Sequence, residues 1–168
     1  MQAQNQLKWS DLQKDEKDNT LRNNDEQPRL AYLSDNVMKV NSMKFTLGPN
    51  KISKVMIGLC DKRIRQERGM IFQDKSFVGH GTYLLYSVDC YNSFLFSHWD
   101  LECNYNEGGF VLNQNDEVEM TFDLEKKTLK IFDIKKPERN VQFQTEHHKL
   151  EDLHLCVVII QGELIFHS

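Results

Sequence analysis

Two stretches of this chain concentrate side chains that could do chemistry. The run "DKRIRQERGM" from Asp61 to Met70 carries Arg63, Arg65 and Arg68, guanidinium groups able to make forked contacts to carboxylates on a partner. The run "FSHWDLECNYNEGGF" places His98, Trp99, Asp100, Glu102, Asn104 and Tyr105 together. Aromatics with an apolar body and a polar tip are common interface anchors. Catalysis has weaker support. Asp100 and Glu102 could share acid–base work, and Cys90 or Cys103 could be activated by His80 or His98, yet no spacing brings either set together. The chain contains no GxSxG elbow, P-loop, HExxH or GxGxxG motif. No catalytic residue is expected. The partner-binding candidates are Arg63, Arg65, Arg68, His98, Trp99, Asp100 and Tyr105.

Metal chemistry fares no better. Cys60, Cys90, Cys103 and Cys156 are widely spaced and form no CxxC pair, whereas a structural zinc site draws on closely spaced ligands. Cys60 ends "VMIGLC" and Cys156 opens "CVVII", apolar runs in which a free cysteine behaves as a small hydrophobe. His147, His148 and His154 invite a metal reading, but adjacent histidines on a strand point to opposite faces. No metal and no cofactor is expected.

Those side chains need a scaffold, and 168 residues suffice for one domain of ordinary size. Apolar residues make up 39% and charged residues 27%, which excludes a disordered or membrane-spanning class. A net charge of −4 argues against nucleic acid as the main partner. There is no apolar run of spanning length, and "MQAQNQLKWSDLQKDEKDNT" lacks the basic start and apolar middle of a secretory signal. An intracellular, cytoplasmic location without membrane contact is expected.

Residues 1–28 are polar, with Leu7 and Trp9 the exceptions, and read as a flexible N-terminal tail or a segment that folds only on a partner. Trp9 either docks back onto the domain or stands out as a ligand, and docking is preferred. From Arg29 to Ser168 the chain reads as strand after strand: "RLAYLS", "NVMKV", "MKFTL", then a turn at Gly48-Pro49-Asn50. "ISKVMIGLC" follows, its Gly58 marking a bulge or a close backbone approach. Asp61 to Gly81 is long and irregular, with Asp61 to Met70 the best stretch for helical periodicity. Tyr83 to Tyr86 lie on one strand and Phe94 to Phe96 on the next, with Ser87 to Asn92 making the turn between them, and Tyr83, Tyr86 and Phe94 to Phe96 are expected in the core. "FVLNQ" leads to "NDEVEMTFDLEKKTL", where Val118, Met120, Phe122 and Leu124 alternate with polar residues at the period of a half-buried strand. "KIFDI", "VQFQ", "LHLCVVII" and "ELIFH" close the chain. Short strands with turn signals at this spacing indicate an all-β sandwich or barrel.

The order of four segments resembles the SPRY domain family: "VMIGLCDK" (55–62), "GHGTYLLYSVDCYNS" (79–93), "NDEVEMTFDLEKKTLKIF" (115–132) and "LHLCVVIIQGELIFH" (153–167). The resemblance covers residues from about 30 to 168 and implies a bent antiparallel β-sandwich, similar to the concanavalin-like lectin scaffold. It also implies non-catalytic binding of a protein or peptide through loops at one edge. The chain departs from the pattern at Asp89-Cys90-Tyr91, which lacks the glycine suited to a primed hairpin turn, at Asn115, where the family has Gly, and at "DIKKPERN", which replaces a short Asn-Gly hairpin. Three functions stand open: a protein- or peptide-recognition module such as a substrate adaptor, a structural subunit of a large multiprotein assembly with residues 1–28 ordered on its neighbours, and, by scaffold analogy alone, a lectin.

Overall fold

The computed structural model describes residues 14–15, 20–23, 28–48, 54–68, 79, 81–88, 92–97, 106–145 and 148–167; for residues 14, 15, 66–68, 106, 107 and 161 it describes the backbone only. The strands in chain order are β1 (Lys14–Asp15), β2 (Thr20–Asn23), β3 (Arg29–Tyr32), β4 (Ser42–Leu47) and β5 (Lys54–Asp61). The helix α1 (Lys62–Arg68) follows, then β6 (Thr82–Val88), β7 (Asn92–Ser97), β8 (Asn106–Glu107), β9 (Glu117–Asp123), β10 (Thr128–Asp133), β11 (Asn140–Gln144) and β12 (Leu153–His167). All pairings are antiparallel. One sheet has the order β11–β10–β9–β4–β12–β2–β1, the second β3–β12–β5–β6–β7–β8. This is the bent all-β sandwich expected.

The long β12 belongs to both sheets. Its first half pairs with β3 and β5, its second with β2 and β4, and the register shifts between Ile159 and Gln161. The segments "LHLCVVII" and "ELIFH", expected as separate strands, are therefore one, because the chain passes Gly162 without reversing. Asn23 Nδ2 donates to the carbonyls of Ile159 (2.7 Å) and Ile160 (3.3 Å) at this bend.

Alternation decides the core. Val118, Met120 and Phe122 of β9, Leu129 and Ile131 of β10 and Phe45 of β4 meet Ile57, Leu59, Tyr83, Leu85, Leu155 and Val157 of the second sheet. Each large apolar side chain so buried contributes up to about 1.5–3 kcal/mol. Leu124 lies in the β9–β10 turn and packs only partly against this core. The turn is held by Asp123 Oδ1, which accepts from the N–H groups of Glu125 (3.0 Å) and Lys126 (2.9 Å).

Four local expectations are corrected. Residues 20–23 are not tail: they form β2 beside β12, with Leu21 fully buried, because one apolar side chain suffices once a neighbouring strand supplies the ladder. "NVMKV" is a turn, in which the N–H groups of Lys39 and Val40 both donate to the Asn36 carbonyl (3.0 Å each). "FVLNQ" forms no strand; Phe110 and Leu112 anchor it individually, with Leu112 N–H donating to Ser87 Oγ (3.0 Å). Ser87, Val88 and Asn92 belong to the paired strands rather than to the turn between them. The turn residues Asp89-Cys90-Tyr91 lie outside the described residues. Asn115, in place of the family's glycine, adopts φ 64°, a left-handed conformation that asparagine tolerates. Among the described residues no helix is long and apolar enough to cross a membrane.

Candidate functional site

The end of the second sheet where β5 gives way to α1 gathers the polar side chains. Cys60 pairs with Thr82, and Tyr83 pairs with Ser97, so α1, the start of β6 and the end of β7 lie in one row. Asp61 organises this end. Its N–H donates to the Gly81 carbonyl (2.7 Å), and its Oδ1 accepts from the N–H of Ile64 (3.0 Å), capping α1. Its Oδ2 lies 2.9 Å from His148 Nδ1, the donor in this contact. Gly81 stands at φ +72°, and a Cβ there would meet Ile64 at 2.9 Å, so the residue must be glycine for α1 to start against β6.

His148 links this end to the β9–β10 hairpin. Its N–H donates to the Thr145 carbonyl (3.2 Å), and Thr145 donates twice to the Lys127 carbonyl, from N–H (2.9 Å) and from Oγ1 (2.8 Å). Tyr83 stacks edge-on against His148 (5.4 Å) and Phe143 (6.2 Å). Burial, with Asp61 beside it, pushes the Tyr83 hydroxyl well above its ordinary pKa. The regular hairpin thus braces the helix-bearing end of the sandwich through a chain of hydrogen bonds. Asp61 and His148 are the type of pair that could do acid–base work, but their side chains are 2% and 3% exposed, closed to solvent. This pair was not legible beforehand, since 87 residues separate its members; an Asp directly before a helical run was the available signal.

The predicted site residues divide. Arg63 is exposed on α1. Arg65 is only 6% exposed and packs beside Cys60 and Cys156. Burial lowers its pKa, and the neighbouring thiols partly offset this. Arg63 and Arg65 therefore do not share a surface patch, because residues two apart on a helix do not share a face. Arg68 ends α1, and its side chain is outside the described atoms. His98, Trp99, Asp100 and Tyr105 lie outside the described residues, as do His80, Cys90, Glu102, Cys103 and His147. Cys60 and Cys156 are free and buried, and burial, together with a hydrogen bond to Cys60, raises the Cys156 thiol. His154 Nδ1 donates to the Leu33 carbonyl (2.7 Å). Among the described residues no three His, Cys, Asp or Glu side chains are grouped to hold a metal ion.

On the other side of this core, Arg139 holds the 108–116 connection. It donates to Asp133 (2.5 Å), to Asp116 (3.3 Å) and to the Val111 carbonyl, and its guanidinium lies 5.2 Å from the Phe110 ring centre. "DIKKPERN" therefore closes the β10–β11 hairpin by an ion pair, where the family pattern uses Asn-Gly.

No protein-family model matches the chain, and no curated protein matches it in sequence. Solved structures do match in shape. The SPRY domain of human HERC1 superposes with a TM-score of 0.58 at 11% identity, over 94% of this chain and 92% of that one. The TRIM65 PSpry domain gives 0.62 at 10% identity, over 96% and 92%. Arcelin-5, a lectin-like defense protein from Phaseolus vulgaris, gives 0.52 at 11% identity, over 88% and 84%. The chain has a SPRY-like fold, a bent β-sandwich of the concanavalin-like kind.

Proposed function

We propose that this chain is a non-catalytic protein- or peptide-binding module that engages its partner at the α1 end of the sandwich. One observation carries the reading: α1, with exposed Arg63, and Ser97, from which the aromatic run His98 to Tyr105 departs, rise from the same row of the second sheet. The hydrogen-bonded brace from Lys127 to Asp61 stiffens that row, which lowers the ordering cost of binding. The partner is a protein or peptide with carboxylates for Arg63 and an apolar group for Trp99. The alternative is a structural subunit of a large multiprotein assembly in an intracellular location.

Mass spectrometry of what co-purifies with a tagged copy from its own cells, before and after a high-salt wash, separates the two. A salt-sensitive partner lost from Trp99→Ala and Arg63→Ala variants that melt normally supports the recognition module. A stoichiometric set of partners that survives salt and both substitutions overturns it in favour of the assembly subunit.

A further inference from the structure

Among the described residues each sheet ends in two edge strands. Those of the second sheet are β3, of 4 residues, and β8, of 2; those of the first are β1, of 2 residues, and β11, of 5. An edge strand presents a row of N–H and C=O groups that pair with nothing in its own sheet, and proteins blunt such edges with shortness, charge, proline or bulges. The strand β11, "NVQFQ", uses none of these. It contains no Lys, Arg, Asp, Glu, Pro or Gly, and it keeps register with β10 from Asn140 to Gln144.

The hydrogen bonds fix which of its groups face outward. Asp133 N–H donates to the Arg139 carbonyl (3.0 Å) at one end of the β10–β11 ladder, and Thr145 N–H donates to the Lys127 carbonyl (2.9 Å) at the other. Bonded and non-bonded pairs alternate along an antiparallel ladder. Val141 and Phe143 therefore bond to β10, whereas Asn140, Gln142 and Gln144 turn their N–H and C=O groups away from the sheet. Those three residues also carry the exposed side chains, while Val141 and Phe143 point into the core. Among the described residues no group takes up the outward donors and acceptors.

We propose that β11 pairs with β11 of a second copy of this chain about a two-fold axis at Gln142, extending the first sheet across two chains. This register uses every outward group: Gln142 lies opposite its own copy and Asn140 opposite Gln144, each pair exchanging both N–H···O bonds. A two-fold axis sets like residues against one another, so a charged edge would repel itself. This edge carries side-chain amides, which donate and accept at once. On the buried side the same register sets Val141 opposite Phe143, an aromatic and β-branched pair, and covers the margin of each core, where these residues are 8% and 5% exposed. The contact also closes. Pairing consumes the β11 edge of both chains, and the far edge of the sheet is the 2-residue β1, too short to template another strand.

The test is sedimentation equilibrium of the full chain over a range of concentrations, with variants at Gln142. The parent should show a concentration-dependent monomer–dimer equilibrium. Gln142→Lys and Gln142→Glu each set like charges against one another on the axis and should sediment as monomers, and an equimolar mixture of the two should recover the dimer. Both should keep a cooperative melting transition, because the side chain is exposed. A parent that is monomeric at every concentration overturns the proposal. So does a dimer that persists in both single variants, or a mixture that stays monomeric. A dimer lost in Trp9→Ala would assign the contact to the N-terminal segment, which lies outside the described residues, and would equally overturn it. No variant touches Arg63 or Trp99, so the readout is independent of partner binding at α1.

Discussion

The two sheets share a core yet treat their outer faces in opposite ways. On β4, β9 and β11 every second residue is buried, and the rest face out: Ser42, Lys44, Glu117, Glu119, Thr121 and Gln142. Lys44 and Ser42 pair across strands with Glu119 (3.5 and 2.9 Å), and Glu117 pairs with Lys135 of the β10–β11 connection (2.7 Å). On β5 the residues from Val55 to Asp61 are all buried, and on β6 those from Thr82 to Leu85. Antiparallel sheets commonly leave one face to water, which produces alternation; a continuous apolar run requires cover on both sides. The first sheet is therefore a wall, and the second a middle layer that must carry chain on its outside. Gly58 shows how tightly that layer is built, since a Cβ there would sit 1.9 Å from the Tyr83 carbonyl oxygen on the neighbouring strand.

The largest effect tests what the sheets share. Phe122→Asp puts a carboxylate at a site 2% exposed between them, and desolvating an unpaired charge exceeds the whole stability of an ordinary domain. The variant should show no cooperative melting transition; a normal one would refute the sandwich core. The next test separates the outer faces. Leu84→Ala, outside the second sheet and fully buried, should cost about 2–5 kcal/mol. Thr121→Ala, outside the first sheet, should change stability by under about 0.5 kcal/mol. Urea unfolding of both variants decides it, and equal costs would erase the distinction between wall and middle layer.

That distinction was partly written in the residue order. The alternation Val118, Met120, Phe122 marks the wall strand and its buried side directly, whereas Leu124, expected as the next inward position, lies in the turn; "ISKVMIGLC" is readable as a strand because an apolar run with β-branched residues bounded by polar residues leaves little alternative. Gly58 was recognised as a bulge or a close approach, and it is the close approach, because the ladders on both sides of β5 keep register through it. What escaped depended on distance in the chain. β2 offers four residues, too short for a period, and becomes a strand only because β12 lies beside it. "NVMKV" carries strand-type residues, yet Asn36 turns the chain back on itself. At the candidate site, Arg63 stayed at the surface while Arg65 went inward, a separation set by helical geometry that a count of arginines does not reveal.

A smaller effect tests the seam where one layer becomes the other. Asn23 is 5% exposed and supplies the donor for two carbonyls at the bend of β12. Asn23→Ala leaves those buried acceptors short of a partner, a loss of about 1–3 kcal/mol. Because the two sheets meet only through this strand among the described ladders, hydrogen exchange should rise at Ile159 to Leu164 more than at Val118 to Phe122. Uniform acceleration would mean that the bend is not a separate weak point.

The smallest effect is a pH dependence, and it too belongs to the outer side of the middle layer. His154 shares that side with Cys60 and is 5% exposed. Burial is the main cause lowering its pKa from the ordinary value near 6.5, and Lys62 adds to it; the Leu33 carbonyl, the Asp35 backbone and Asp152 oppose it, while the Tyr32 ring packs edge-on at 5.7 Å. The unfolded chain therefore takes up the proton at a higher pH than the folded one. The stability associated with neutral His154 is fully present above about pH 6.5 and is lost as pH falls through the lowered folded value. A His154→Gln variant keeps a donor for the Leu33 carbonyl but cannot titrate. Its melting temperature should fall less than that of the parent chain between pH 7 and pH 5. Parallel pH profiles for the two would show that the outer side at this position is open enough to water for the imidazole to charge freely, making it a wall there after all.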